Sequence, residues 1–349
     1  MRYADRDDVP AELLSALKDP YYAEGLKDHF QGLPDRYRAN HFSVTTLIRS
    51  GRQVALGSRH GDKVLHDPLD GMWRLFGHVI HSIMENHGKA EDPDAMIELR
   101  VGHEIEGFYA HGQADLYLPG SCKIRDYKVT KAEAMLYDDK DEHIQQLNLL
   151  AALFRLNGHP VEELELVFVF RNHDPRKYVE GGRYPKEAVM VSPVPVWSYE
   201  RAEQFLRDRV RLHIEASKTK DEDLPECTDK ERWQGPPLYK VYKLNPDGSR
   251  QMKAKATVET KLGAEDWLDA HIEELEAAHN EREAKRIAKL VKAQEPKPFE
   301  RPEFEIVELP GKPIKCFFCE IADFCSQRQV EIEAEKDSQD DQEKPESYN

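Results

Sequence analysis

The sequence predicts an α/β fold in which a mixed central β-sheet is flanked by helices, with a metal-stapled extension behind it. Three observations lead to that expectation. Helical and strand periodicities follow one another as helix, meander of strands, helix and strand across residues 71–196. Two apolar runs flank the turn signal Pro119-Gly120-Ser121 and read as a hairpin. Past residue 216 the composition changes, and Cys316, Cys319 and Cys325 then fall close together.

The chain has 349 residues, of which 39% are hydrophobic and 33% charged, polar for a globular protein but rich enough for a core. No run approaches the roughly 20 apolar residues of a membrane span. The start, Met1 to Asp8, shows no apolar signal core, so a cytoplasmic protein without membrane partners is expected. The net charge of −16 argues against a wholly basic nucleic-acid binder. Residues 331–349 hold eight acids and two lysines, a net of −6, and read as a disordered tail that need not touch the site.

Residues 1–40 form an N-terminal segment of short helices carrying Tyr21, Tyr22 and Phe30. Ser43 caps a second helix over 43–49. A longer helix spans about 71–87, with Trp73, Phe76, Ile80, Ile83 and Met84 at helical spacing. Two strands follow over 97–118, then one at 123–130. An apolar helix at 142–156 stops at Gly158-His159-Pro160, strands cover 163–171 and 188–196, and a helix at 198–216 closes a core of 41–215. The extension, 216–327, contains short strands, a charged helix at 264–295 and a cysteine-bearing module; 328–349 is the acidic tail.

The hairpin carries the chemistry. Strand side chains alternate faces, so Asp126 and Lys128 project together while Tyr127 points away. Pairing of the two runs brings Asp115 beside Asp126. Two carboxylates and an ammonium then meet, a group suited to a divalent metal, a phosphate and an attacking water. Upstream, His81 and Glu85 share a helix face at i, i+4. Gln146 follows on the next helix. Glu98, on the strand before Asp115, has two readings, a residue lining the site or an exposed strand acid, and the second is favoured.

This ordered set, Gly77 with His81, Gly112 with Asp115, Asp126-Tyr127-Lys128 and Gln146-Leu147, resembles the RecB-like branch of the PD-(D/E)XK nuclease superfamily. The resemblance covers about residues 41–215 and implies a restriction-endonuclease-like core. It implies a magnesium- or manganese-dependent deoxyribonuclease, a phosphodiester hydrolase of phage or mobile-element type acting in recombination, replication or DNA processing in a bacterial host. His81, Asp115, Asp126 and the Tyr127 carbonyl would hold the metal. Lys128 would orient the water and steady phosphate charge, Gln146 would hold Lys128 or a DNA strand, and Glu85 would support His81. DNA is the implied partner, with a recombinase, helicase or single-strand-binding protein beside it. Leu150 stands where the family often has an aromatic residue. A different expectation is a non-catalytic DNA-binding or assembly module with the same fold.

Cys316, Cys319 and Cys325 form a C-x2-C-x5-C run of metal-binding character. A tetrahedral zinc or a [4Fe-4S] cluster needs a fourth thiolate, from Cys227 or Cys122. The segment around Cys227 resembles that of phage-encoded relatives, which favours Cys227, and related nucleases carry a [4Fe-4S] cluster, with zinc as the alternative.

Overall fold

The computed structural model describes residues 2–4, 6, 8–18, 30, 33–87, 92–136, 141–289 and 294–332. Tyr21, Tyr22 and most of the acidic tail lie outside them. The chain divides into two compact units, Met1–Glu226 and Cys227–Asn349.

The first unit is built on a six-stranded mixed sheet. Its strands are β1 (His41–Ser43), β2 (Met96–Ile105), β3 (Phe108–Leu118), β4 (Lys123–Thr130), β5 (Glu163–Phe170) and β6 (Val189–Val194). Its main helices are α1 (Val44–Leu47), α2 (Gly51–His60), α3 (Met72–His87), α4 (Asp141–Leu156) and α5 (Tyr199–Lys218). β4 and β5 run parallel, as do β1 and β3, while β2–β3, β3–β4 and β5–β6 are antiparallel. A parallel pair needs a crossover, and α4 supplies it between β4 and β5. The predicted central sheet and its helices are therefore present.

Local chemistry sets several of these boundaries. Ser43 accepts a hydrogen bond from Thr46 N, Ser50 from Gln53 N and Ser198 from Arg201 N, satisfying helix N-terminal donors. Each such cap stabilises by about 1 kcal/mol. Ser43 starts only a short helix, α1. A second Ser cap restarts the chain as α2, a helix the sequence reading does not place.

The core packs α4 and α5 onto the sheet. Leu147 through Phe154 of α4 are all buried, together with Leu166, Phe168, Ile124 and Val210. Asn148 is fully buried but satisfied: its amide donates to the Ile144 and Pro195 carbonyls, and its oxygen accepts from Trp197 N at 2.7 Å. A polar group there costs little because it is bonded, and it pins the β6–α5 connection onto α4.

The closing helix and the change of composition beyond it suggest a core of 41–215, and the first compact unit runs on to Glu226. Two arginines of α2 account for this. Arg59 donates to the carbonyls of Ala216, Ser217 and Thr219 and pairs with Asp221; buried Arg52 donates to the Leu224 carbonyl at 2.6 Å.

The second unit contains a three-stranded antiparallel sheet in the order β8 (Ala256–Val258), β7 (Leu238–Lys243), β9 (Phe304–Leu309). The charged helix α6 (Lys261–Ile287) begins with Thr260 accepting from Gly263 N and packs against all three strands. It starts before and ends short of the 264–295 span expected from charge. Among the described residues no helix is long and apolar enough to cross a membrane.

Candidate active site

Strand pairing makes a fork at the predicted motif. One edge of β3 pairs with β2 along nearly its whole length. The other edge is divided: β1 pairs with Tyr109–His111, and β4 pairs only with Leu116–Leu118. Past Arg125, β4 leaves β3 and stays beside β5. Residues 112–115 therefore face an opening between diverging strands. Asp115 sits at its inner end, where its Oδ2 accepts the Tyr127 N–H at 2.7 Å.

The registers also align three acids. Ile97 pairs with Leu116 and Leu99 with Ala114, so Glu98 stands opposite Asp115. Leu116 pairs with Arg125, and continuing that step sets Asp126 opposite Asp115 on the far side. Glu98, Asp115 and Asp126 thus lie abreast on three neighbouring strands. Like charges directly opposed destabilise a sheet, so this row requires positive charge nearby.

That charge comes from two directions. His81 of α3 places Nδ1 3.4 Å from Asp115 Oδ1 and 3.6 Å from Glu98 Oε1. Hydrogen bonding to Asp115, and then to Glu98, pushes its pKa up to about 10 despite burial. Lys128 Nζ lies 2.7 Å from Asp126 Oδ2. Asp126 is buried, and burial pushes its carboxyl above the usual range, with the Lys128 ammonium opposing that shift. His143 at the start of α4 is close enough to lower Asp126 as well, and its ring meets Phe168 edge-on.

The backbone bends at this place. Ala110 and Ala114 of β3 pack in the main core, as does Tyr117, while Leu116 and Leu118 join Ala95 and Ile97 in a separate cluster. Strict alternation would not place both Ala114 and Tyr117 in one core. The interruption falls at Asp115, opposite Glu98, whose φ of +50° is in the left-handed region. Such a conformation at a non-glycine residue costs on the order of 1–3 kcal/mol. Glu98 is held there by Gln113, which donates to its carboxylate while accepting from Arg100.

His81, Glu98 and Asp115 offer one oxygen or nitrogen each, all within 4.8 Å of one another. Hard carboxylate oxygens with one imidazole suit magnesium or manganese. The residues fit such an ion. The Tyr127 N–H points to Asp115, and a strand residue's N–H and C=O leave on the same side, so its carbonyl is directed into the fork as well.

The structure thus brings together His81, Asp115, Asp126, Tyr127 and Lys128, and it adds Glu98 and His143. Glu98 is a correction to the sequence reading: it is half-buried in the group and not an exposed strand acid. Gln146 stands half-buried in the second turn of α4. The Glu85 side chain lies outside the described residues. The motif glycine has a steric reason. A Cβ on Gly112 would come within 2.8 Å of Leu150 Cδ1 and of Val44 Cγ2, so α1 and α4 can approach β3 only over a hydrogen.

In the second unit, Cys227, Cys316, Cys319 and Cys325 are all free thiols. Cys316 is pushed up to about 11, chiefly by burial, with Cys227 and Cys319 near enough to contribute. Gln327 clasps the Cys227 backbone, accepting from its N–H at 2.9 Å and donating to its carbonyl at 3.0 Å. Cys122 belongs to the first unit, in the hairpin turn, at φ +51°.

No family model and no curated protein matches the chain. Among solved structures, the protein SSO0001 is similar at a TM-score of 0.36 and 17% identity, covering 58% of this chain and 85% of that one. A phage related exonuclease from Haemophilus somnus 129PT is similar at a TM-score of 0.28 and 11% identity, covering 42% and 69%. Scores of this size fix neither fold nor activity, which must come from this chain's own residues.

Proposed function

We propose that the chain is a metal-dependent DNA nuclease, an exonuclease of phage or mobile-element type. One observation carries the reading. An acid row, Glu98, Asp115 and Asp126, meets His81 and Lys128 at a strand fork, in the motif order that resembles RecB-like nucleases.

In hydrolysis, water adds to phosphorus and a P–O ester bond breaks, leaving a phosphate monoester and a hydroxyl. His81, Glu98, Asp115, Asp126 and the Tyr127 carbonyl would hold the cation. A bound magnesium or manganese ion supplies Lewis acidity toward the phosphate and a place for water. The protein's own groups do the positioning. Tyr127 N–H fixes one Asp115 oxygen and leaves the other toward His81. Asp126 holds the Lys128 ammonium in place, where it neutralises charge gathering on the phosphoryl oxygens and orients the attacking water. Gln146 of α4 would hold Lys128 or the DNA strand, and Glu85 would support His81.

The four cysteines of the second unit would hold a [4Fe-4S] cluster, or zinc, in a structural role. A recombinase, helicase or single-strand-binding protein is the kind of partner such a nuclease serves.

The test is cleavage of linear and circular DNA labelled at the 5′ or 3′ end, with magnesium or manganese and anaerobically purified protein. Cleavage should require free ends and should fall by at least about a hundredfold in Lys128→Ala, as for loss of one preorganised transition-state contact. Wild-type rates in Lys128→Ala and Asp126→Ala would refute the reading.

A further inference from the structure

Helix α3, which supplies His81, has a second face that the site does not use. Trp73, Phe76, Val79 and Ile83 recur every three or four residues, and each is about half exposed. Large apolar side chains aligned in the open call for an occupant. The end of this stripe nearest the sheet is aromatic and cationic. The Trp73 and Phe76 rings lie 5.8 Å apart, and the Arg171 guanidinium stacks 3.6 Å from the Trp73 ring centre.

Arg171 ties the stripe to the reaction centre. It follows β5 directly, and its N–H donates to the Thr130 carbonyl at the end of β4, two residues past Lys128. Through Arg171 the aromatic pair is tied to the end of β4, two residues beyond Lys128 and four beyond Asp126. The chain nearby is also basic: residues 171–188 carry five lysines and arginines against three acids, although the protein is −16 overall. Some of that charge is paired, as in Lys177 with Glu133 and Arg176 with Asp174. Exposed Lys131 directly follows the motif strand.

Aromatic faces with an interleaved guanidinium beside a phosphate-handling centre match one partner chemistry, an unpaired nucleic-acid strand. Any base can stack on an indole, and arginine meets both the ring and the phosphate. A peptide or a second copy of the chain would be served by the apolar stripe but would leave Arg171 and the basic loop without a purpose. We infer that Trp73 and Phe76, with Arg171, form a stacking platform that holds an unpaired base of the substrate strand next to the scissile phosphate; this rests on the nuclease reading above. The platform acts on binding and positioning and takes no part in the bond exchange.

The experiment uses full-length protein carrying Asp126→Asn, so that the probe survives, and fluorescence anisotropy with a labelled oligothymidylate. Adding Trp73→Ala should weaken binding roughly five- to a hundredfold, the loss of one stacked base, while Trp73→Phe should keep most of the affinity. A set of probes with one abasic position each should contain one that binds the parent and Trp73→Ala equally, because the base that would stack is already gone. Unchanged affinity in Trp73→Ala, with wild-type protein still cutting DNA, would overturn the platform and leave the nuclease intact. A shift from dimer to monomer in Trp73→Ala on sedimentation, without loss of oligonucleotide binding, would assign the stripe to self-association and overturn it too. If the parent binds no oligonucleotide and the wild type cuts none, both proposals fall together.

Discussion

In the strand fork of the first unit, the candidate ligands are held by a hydrogen-bonded ladder. Asp115 is fixed by the Tyr127 N–H, Glu98 by Gln113, and Asp126 by Lys128. In the second unit the four cysteines have far less support. Cys316 lies in a short 3-10 turn over Ile314–Phe318, Cys319 and Cys325 end such turns, and Cys227 lies in irregular chain clasped by Gln327. Turns of this length have little stability alone. The contrast teaches where a metal would be a passenger and where it would be part of the fold. The fork is organised by its own hydrogen bonds, whereas a metal held by the four cysteines, as proposed above, would be part of the second unit's fold.

The largest effect should therefore appear in the second unit. Cys316→Ser, or chelation, should open residues 227–332 to limited proteolysis while the first unit keeps its melting transition. Equal protection of both units would erase the distinction. Next in size, Glu98→Gln should lower manganese affinity by roughly ten- to a hundredfold, measured calorimetrically. The fold should persist, because β2 remains paired on both sides of residue 98.

Gly112→Ala should cost about 1–3 kcal/mol, the usual penalty for overpacking a filled core. In a double-mutant cycle, Leu150→Ala should then cost less than it does alone, since Leu150 is the neighbour that the new methyl meets. Additive costs would remove the steric account of the glycine.

The smallest effect is in pH. In metal-free protein, folding raises His81 from its usual 6.5 to about 10. Its contribution to stability is complete below pH 6.5 and is lost as pH climbs through 10. Melting in a chelator should decline across that window, and His81→Gln should flatten the decline. A slope that survives the substitution would place the titrating group elsewhere.

Much of this was legible in the sequence because period-two and helical patterns are local. β4 was read at its observed limits, α4 within a residue, and the Ser43 and Ser198 caps lie where their hydroxyls predict. Asp115, Asp126 and Lys128 were legible because a hairpin and strand alternation suffice to gather them. Glu98 was read as the weaker candidate, since its place depends on the β2–β3 register and on a left-handed backbone that no alternation rule anticipates. His143 was hidden for a related reason: its nearness to Asp126 comes from the packing of α4 across the sheet. That the first unit runs on to Glu226 is not visible in composition, because arginines on α2 reach a segment more than 150 residues later.

The divalent cation proposed for the fork would bind through His81, Glu98 and Asp115. Crystals soaked in manganese and measured at its absorption edge test it most directly. An anomalous peak is expected within coordination distance of the His81 imidazole and the carboxylates of Glu98 and Asp115, and it should be lost in Asp115→Asn. A well-ordered fork with no peak, or a peak bound only to other residues, would contradict it.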